Sequence, residues 1–188
     1  MKSEPNASSI DDLKRDKKTM WDGVRNYQAR NFMRSMAIRD QILFYHSNCD
    51  VPGVVGLAKV VRLAYVDPTQ FDPSDKHYDP ASKPEDPRWS LVDIGFVKKF
   101  KRTVSLTELK ARGYQTAILS NGSPDMLAGA VTSAGIGDLL DDVLSVEDVG
   151  VFKPHASVYQ LVPDRFDCGP DEVLFVSSNG WDAAAAAG

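Results

Sequence analysis

Near Arg112-Gly113 the spacing of apolar residues changes, and a chain that changes its repeat halfway cannot be built on one sheet under one rule. Upstream lie long β-rich runs separated by a proline-rich loop. Downstream, short apolar strands at 116–119, 143–146 and 173–176 alternate with helical stretches. Continuous apolar strands between helices predict a parallel sheet covered on both faces. Charge changes at the same place. Residues 1–112 carry 20 Lys and Arg against 15 Asp and Glu, and residues 113–188 carry 2 against 11. The asymmetry suggests an anion-binding half joined to an acidic half. Two solvated surfaces of different origin account for the same numbers. The fold class is therefore an α+β/α/β composite, with domains at 1–112 and 113–188.

The first half is organised around Trp21-Asp22-Gly23-Val24-Arg25-Asn26-Tyr27-Gln28-Ala29-Arg30-Asn31. Such a mixture makes a poor core and a poor linker. Aromatic faces stack on a planar ring, amides read its edge, and guanidinium groups hold phosphates. Trp21 is also a candidate core aromatic, and Arg25, Arg30 and Arg34 could pair with Asp22 and Asp40 instead. Before this stretch, Ser9 with Asp12 three residues on predicts a capped helix, followed by the basic run Lys14, Arg15, Lys17 and Lys18. Residues 27–36 have helical spacing, 42–46 read as a buried strand, and 54–66 read as a long strand in which Gly56 permits a bulge. Repeated Asp-Pro pairs fill the loop 67–89, and a loop of that length is usually functional. Val92, Ile94 and Phe96 alternate as a strand running into the basic cluster 98–102. That cluster reads as an exposed strand edge or as a phosphate contact.

Ser105 with Glu108 caps a short helix that Gly113 can end. In the second half Ser123 and Pro124 open a helix closed by Gly135, and a further helix spans 155–166. Pro163 inside it costs roughly 3 kcal/mol unless the helix bends.

Residues 1 to about 110 resemble the EVE domain, a PUA-like β-barrel related to the YTH readers. The resemblance rests on Lys2-Ser3-Glu4-Pro5, the Trp21–Asn31 stretch, Phe44-Tyr45-His46-Ser47-Asn48, Pro52-Gly53 and Asp67-Pro68-Thr69-Gln70-Phe71. It continues through Tyr78-Asp79-Pro80, Pro87-Arg88-Trp89 and Leu106-Thr107-Glu108-Leu109. It implies an incomplete PUA-like barrel with peripheral helices, acting as a non-enzymatic reader of DNA or RNA with modified cytosine as candidate ligand. The implied binding residues are Lys2, Ser3, Trp21, Arg25, Asn26, Tyr27, Arg30, Tyr45, His46 and Ser47. Trp21, Tyr27 and Tyr45 would enclose a base, Asn26, His46 and Ser47 would read it, and Arg25 and Arg30 would neutralise phosphate. His46, at a strand end, has a purely structural reading as well.

Residues 113–188 resemble the L-2-haloacid dehalogenases of the haloacid dehalogenase superfamily. Ser120-Asn121-Gly122-Ser123, Phe152-Lys153-Pro154 and Ser177-Ser178-Asn179-Gly180-Trp181-Asp182 look like its second, third and fourth motifs. The resemblance implies a partial Rossmann-like parallel α/β unit. A Ser hydroxyl and backbone donors at a helix start would hold a substrate carboxylate, Lys153 would stabilise a nucleophilic Asp, and Asn179 and Asp182 would place the hydrolytic water, with Ser120, Asn121 and Ser177 as further residues of the same motifs. The family's nucleophile sits in an Asp-x-Tyr-Gly-Thr-like block upstream of the second motif. No such block occurs in the sequence. Covalent catalysis needs its nucleophile, so these residues are expected to be remnants without turnover.

No segment approaches the roughly 18 consecutive apolar residues of a membrane span. The polar amino end does not read as a secretory signal, and Cys49 and Cys168 lack metal-ligand spacing. They read as free thiols in a reducing cytoplasm. His77 and His155 show no ligand spacing either, so neither a metal nor a cofactor is expected. Three functions follow: a nucleic-acid reader, a hydrolase of small 2-haloacids, or a composite of two truncated folds without independent function.

Overall fold

The computed structural model describes residues 1–177 and 180–187. They form two compact units, Met1–Val104 and Ser105–Gly188.

The first unit is a mixed sheet with helices. Strands β1 (Lys2–Ser3), β2 (Lys18–Trp21), β3 (Gln41–His46), β4 (Gly53–Val66) and β5 (Ser90–Val104) lie in the order β1-β3-β4-β5-β2. Only the β1–β3 pair is parallel. The long β4–β5 ladder runs from Val66 opposite Ser90 to Val54 opposite Val104, with four register shifts on the way. Such bulges bend and coil a ladder that would otherwise be flat. Gly56 is required at one of them, because a Cβ there would lie 2.4 Å from the Lys98 carbonyl oxygen.

Helix α1 (Ile10–Asp16) is opened by Ser9, whose hydroxyl accepts from the Asp12 amide while the Asp12 carboxylate accepts from Ser9. It buries Ile10 and Leu13 on the sheet, and α2 (Tyr27–Ser35) buries Met33. With Ile42, Phe44, Val55, Ala58, Val60, Val92 and Ile94 they make one core. Each of these side chains larger than alanine contributes about 1.5–3 kcal/mol when removed from water. Residues 90–95 are buried in succession, whereas residues 97–99 and 101–102 are exposed. β2 is an element the sequence did not predict. It pairs antiparallel with β5, Trp21 opposite Val92.

In the second unit β6 (Ala117–Ser120) and β7 (Asp142–Ser145) form a parallel pair. Helices α3 (Leu106–Ala111), α4 (Pro124–Ala134), α5 (Ala156–Phe166) and α6 (Gly180–Ala186) complete it. Ser123 caps α4 and Gly135 ends it at φ +62, as expected. Pro163 does lie inside α5. The expectation of a buried strand at 173–176 is overturned. This segment forms no strand, and Leu174 is 80% exposed and Val176 57%. An apolar run becomes a strand only beside a neighbour that pairs with its backbone, and the described sheet here has two members. β6 pairs with β7 and is not a strand of the first sheet. Among the described residues no helix is long and apolar enough to cross a membrane.

Candidate functional site

The Asp-Pro loop is held to the Trp21–Asn31 stretch by one buried carboxylate. Asp67, fully buried, caps the short 3-10 turn Pro68–Phe71 by accepting from the Thr69 amide and hydroxyl. Its other oxygen accepts from the Gly23 amide at 3.0 Å and the Arg25 guanidinium at 2.8 Å. Arg25 also donates to the His77 carbonyl and to the Thr69 hydroxyl. Burial alone would raise the Asp67 carboxyl, but the bonds from Arg25, Thr69 and Gly23 outweigh it and hold it below its usual range. Gly23 sits at φ +71, and a Cβ there would lie 2.5 Å from the His77 ring. Gln70, also fully buried, donates to the Trp89 carbonyl and accepts from the Trp89 amide. Trp89 in turn donates its indole N–H to Asp79 at 2.6 Å.

Trp89 backs the Tyr27 ring, 4.8 Å away and tilted by 31°. Tyr27 is half exposed. The Arg30 guanidinium lies 4.9 Å from the Tyr27 centroid and donates to the Arg88 carbonyl and the Asn31 side chain. Arg25 lies 5.5 Å from the Trp89 centroid. Asn26 caps α2 by accepting from the Ala29 amide. Arg34 donates to Ser90, and Asp40 accepts from the Ala37 amide; among the described residues Arg25 pairs with Asp67, and no ion pair joins these arginines to Asp22 or Asp40.

The other candidates lie elsewhere on the sheet. Lys2 and Ser3 in β1 stand opposite Tyr45 and His46 in β3, and the Ser47 amide donates to the Ser3 carbonyl. His46 pairs with Gly53, towards the end of the β4–β5 ladder farthest from the Asp-Pro loop. Burial pushes the Tyr45 phenol up, aided by neighbouring Cys49. Trp21 is partly buried against the core, edge-on to Phe44 at 5.8 Å, and Phe44 is edge-on to His46 at the same distance. The ten residues therefore divide. Arg25, Asn26, Tyr27 and Arg30 gather around Trp89, while Lys2, Ser3, Tyr45, His46 and Ser47 gather along β1 and β3. Trp21 joins the second group through Phe44. Asp67, Gln70 and Trp89 were missing from the sequence-based site. The repeated Asp-Pro turns were the available signal, since a turn-capping Asp is a ready hydrogen-bond acceptor.

His46 Nε2 accepts the Ile10 amide at 3.1 Å, which needs the neutral ring. Burial lowers its pKa below 6.5, with Lys99 adding to the effect and Asp11 opposing it. A lowered folded pKa means that the unfolded chain takes up the proton first. This contribution to stability is complete above 6.5 and is lost as pH falls through the folded value. The urea midpoint of the first unit is expected to drop between pH 7.5 and 5.5, and to drop less in His46→Gln. An equal drop in both proteins would remove His46 as the cause.

In the second unit Ser120 accepts from the Gly122 amide, and Asn121 accepts from the Lys153 amide. The Lys153 ammonium, 7% exposed, donates to the Leu119 carbonyl at 2.7 Å and lies 3.1 Å from Asp182, 8% exposed. Ser177 donates to the same Asp182 oxygen and Tyr159 to the other. Burial first, and then the bond to Asp182, raises the Tyr159 pKa. Tyr159 was not among the expected residues. Asn179 lies outside the described residues.

Residues 1–127 match the EVE domain family, and residues 101–188 match the family of haloacid dehalogenase-like hydrolases. Mouse thymocyte nuclear protein 1 is 52% identical over 135 residues, covering 66% of this chain and 59% of that protein. The crystal structure of human THYN1 protein in complex with 5-methylcytosine-containing DNA is similar at 44% identity and a TM-score of 0.54. That match covers 72% of this chain and 77% of the other. (S)-2-haloacid dehalogenase 1 of Pseudomonas sp. strain CBS-3 is 48% identical over 82 residues, covering 44% of this chain and 36% of the enzyme. The chain thus spans about three-fifths of the thymocyte protein and about a third of the dehalogenase.

Proposed function

Because the chain belongs to the EVE domain family, we propose that its first unit binds nucleic acid and reads modified cytosine, with DNA the first candidate and RNA the second. The observation that carries the reading is the half-exposed Tyr27 ring, backed by Trp89 and flanked by Arg30. A ring supported from behind stacks a base at little entropic cost, and an adjacent guanidinium attracts the phosphate beside it. The DNA-bound state of the human relative supports the same reading. Arg25 then serves as a positioning residue that fixes the loop carrying Trp89. Trp21 and Tyr45 are proposed to bound the base pocket, and the bulged sheet to be an incomplete PUA-like barrel.

We keep the functional boundary at 112–113, where the charge changes sign, although the two family matches overlap over 101–127. Free Cys49 and Cys168 fit a reducing cytoplasm. The second unit we read as a dehalogenase fragment without a complete reaction. The reading rests on the absence from the sequence of the family's nucleophilic block, while Asp182, the carboxylate beside Lys153, belongs to the segment that resembles the fourth motif.

The test is direct binding to single- and double-stranded oligonucleotides, with and without 5-methylcytosine, at two salt concentrations. Affinity should fall with salt by a log–log slope of about 0.7–0.9 per phosphate contact. Tyr27→Ala should weaken binding by about 1–3 kcal/mol, the usual value of one stacked base. Trp21→Ala should erode the preference for the modified base more than Lys99→Ala does. Salt-independent binding, or equal preference in Trp21→Ala and wild type, would contradict the reading.

A further inference from the structure

We propose that Asp22 tells 5-methylcytosine from thymine, its carboxylate accepting a hydrogen bond from the exocyclic amine that cytosine carries and thymine lacks. The inference rests on the base-reading proposal above and deepens it, naming the residue that decides which methylated pyrimidine is held.

The need for such a residue is chemical. Thymine presents the same ring methyl group, with a carbonyl oxygen where cytosine has its amine. Stacking on Tyr27 and apolar contact with the methyl group treat the two bases alike. Only a group that meets the other edge separates them, and cytosine requires an acceptor there. Few of the candidate residues supply one. Lys2, Trp21, Arg25 and Arg30 only donate. His46 Nε2 already accepts from the Ile10 amide, and the Asn26 side-chain oxygen accepts from the Ala29 amide. The Ser and Tyr hydroxyls can turn to donate to thymine, so they do not discriminate.

Asp22 is the one carboxylate in the Trp21–Asn31 stretch. Two arginines follow it, yet Arg25 pairs with Asp67 at 2.8 Å and Arg30 donates to the Arg88 carbonyl and to Asn31. Asp22 also stands where the divided candidate site is joined. Trp21 before it ends β2 and lies edge-on to Phe44. Gly23 after it donates to Asp67 at 3.0 Å and lies against the His77 ring, both on the loop that carries Trp89. A base held between these two groups presents its edge to the residue that joins them.

The surrounding charge favours a donor. Asp22 is exposed, yet partial burial of its carboxyl and the neighbouring Asp67 push its pKa above the ordinary range, with Asp75 adding and His77 opposing. A carboxylate short of donors gains more from an incoming amine than one already paired. The same negative charge repels the thymine oxygen. Glu4, next to Ser3, is a second carboxylate beside the candidate residues and provides the control.

The experiment measures anisotropy of labelled oligonucleotides with 5-methylcytosine, cytosine or thymine at one central position. They are presented as single strands and as duplexes with an abasic residue opposite, so that no pairing energy differs. Wild type and Glu4→Gln should prefer 5-methylcytosine to thymine by about tenfold or more, the usual worth of a good base-edge contact. In Asp22→Asn this preference should nearly vanish, because an amide donates to the thymine oxygen as readily as it accepts from the amine. The preference for 5-methylcytosine over cytosine, both of which carry the amine, should be unchanged in the variant. Its urea midpoint should be no lower than that of wild type, since the lost charge stands beside Asp67. An undiminished preference in Asp22→Asn, a wild type that does not separate 5-methylcytosine from thymine, or a loss in Glu4→Gln instead overturns the assignment. Where 5-methylcytosine is still preferred to cytosine, the base-reading proposal stands. Wild type that binds none of the oligonucleotides defeats that proposal, and this inference with it.

Discussion

Asp67→Asn is expected to destabilise the first unit by about 3–5 kcal/mol, the usual cost of removing one member of a buried ion pair. Asp67 is fully buried and the Arg25 side chain is 21% exposed, so water cannot replace the lost carboxylate. An amide would keep the shape but turn a donor towards the Gly23 amide, the Thr69 groups or Arg25, all of which now donate to this side chain. The same pair ties the Asp-Pro loop to the segment leading into α2, so the variant should also loosen Trp89 and weaken oligonucleotide binding beyond the loss in stability. Linkage gives an independent check. The folded Asp67 pKa lies below 3.8, so its contribution is complete above 3.8 and disappears as pH falls through the lower folded value. Wild type should therefore converge on the variant in acid. Urea denaturation at pH 7 and pH 3 measures both effects, and a loss below about 1 kcal/mol at neutral pH would mean that the pair is solvated. Replacing both partners with apolar residues of similar size should cost less than the single change, because no charge is then stranded.

This pair also marks where sequence reading stops. Local chemistry was legible: Ser9 with Asp12, and Ser123 with Pro124 and Gly135, each fix a helix end within a few residues. Gly56 was legible because only one residue type permits that backbone approach. Arg25 and Asp67, in contrast, are 42 residues apart, and nothing local selects Asp67 over the nearer Asp22 and Asp40. β2 was hidden because four residues alternating between exposed and half-buried carry little apolar signal. The run 173–176 failed in the opposite way. It has the composition of a strand, but composition supplies no partner, and the backbone hydrogen bonds that make a strand belong to the pair. The candidate site divided for the same reason, since the bends of β4 and β5 set which ends of the sheet meet and no single segment encodes them.

Lys153→Met is expected to have the largest effect in the second unit, about 3–5 kcal/mol of stability and no change in chemistry. Lys153 and Asp182 are 7% and 8% exposed, so the substitution leaves a buried carboxylate whose donors, among the described residues, are the Ser177 and Tyr159 hydroxyls. It also strips the Leu119 carbonyl of its donor. A unit whose described residues form a two-stranded sheet has little stability to lose, so its unfolding transition should move far below that of the wild type. Adding Asp182→Leu should recover much of the loss, because the pair is then replaced by apolar packing. Halide release from 2-chloropropionate distinguishes structural from catalytic meaning. With no nucleophilic block in the sequence, wild type and variant should release none. Release by wild type that vanishes in Lys153→Met, with the melt unmoved, would mean that the ammonium supports a working carboxylate and that the acidic unit is an enzyme.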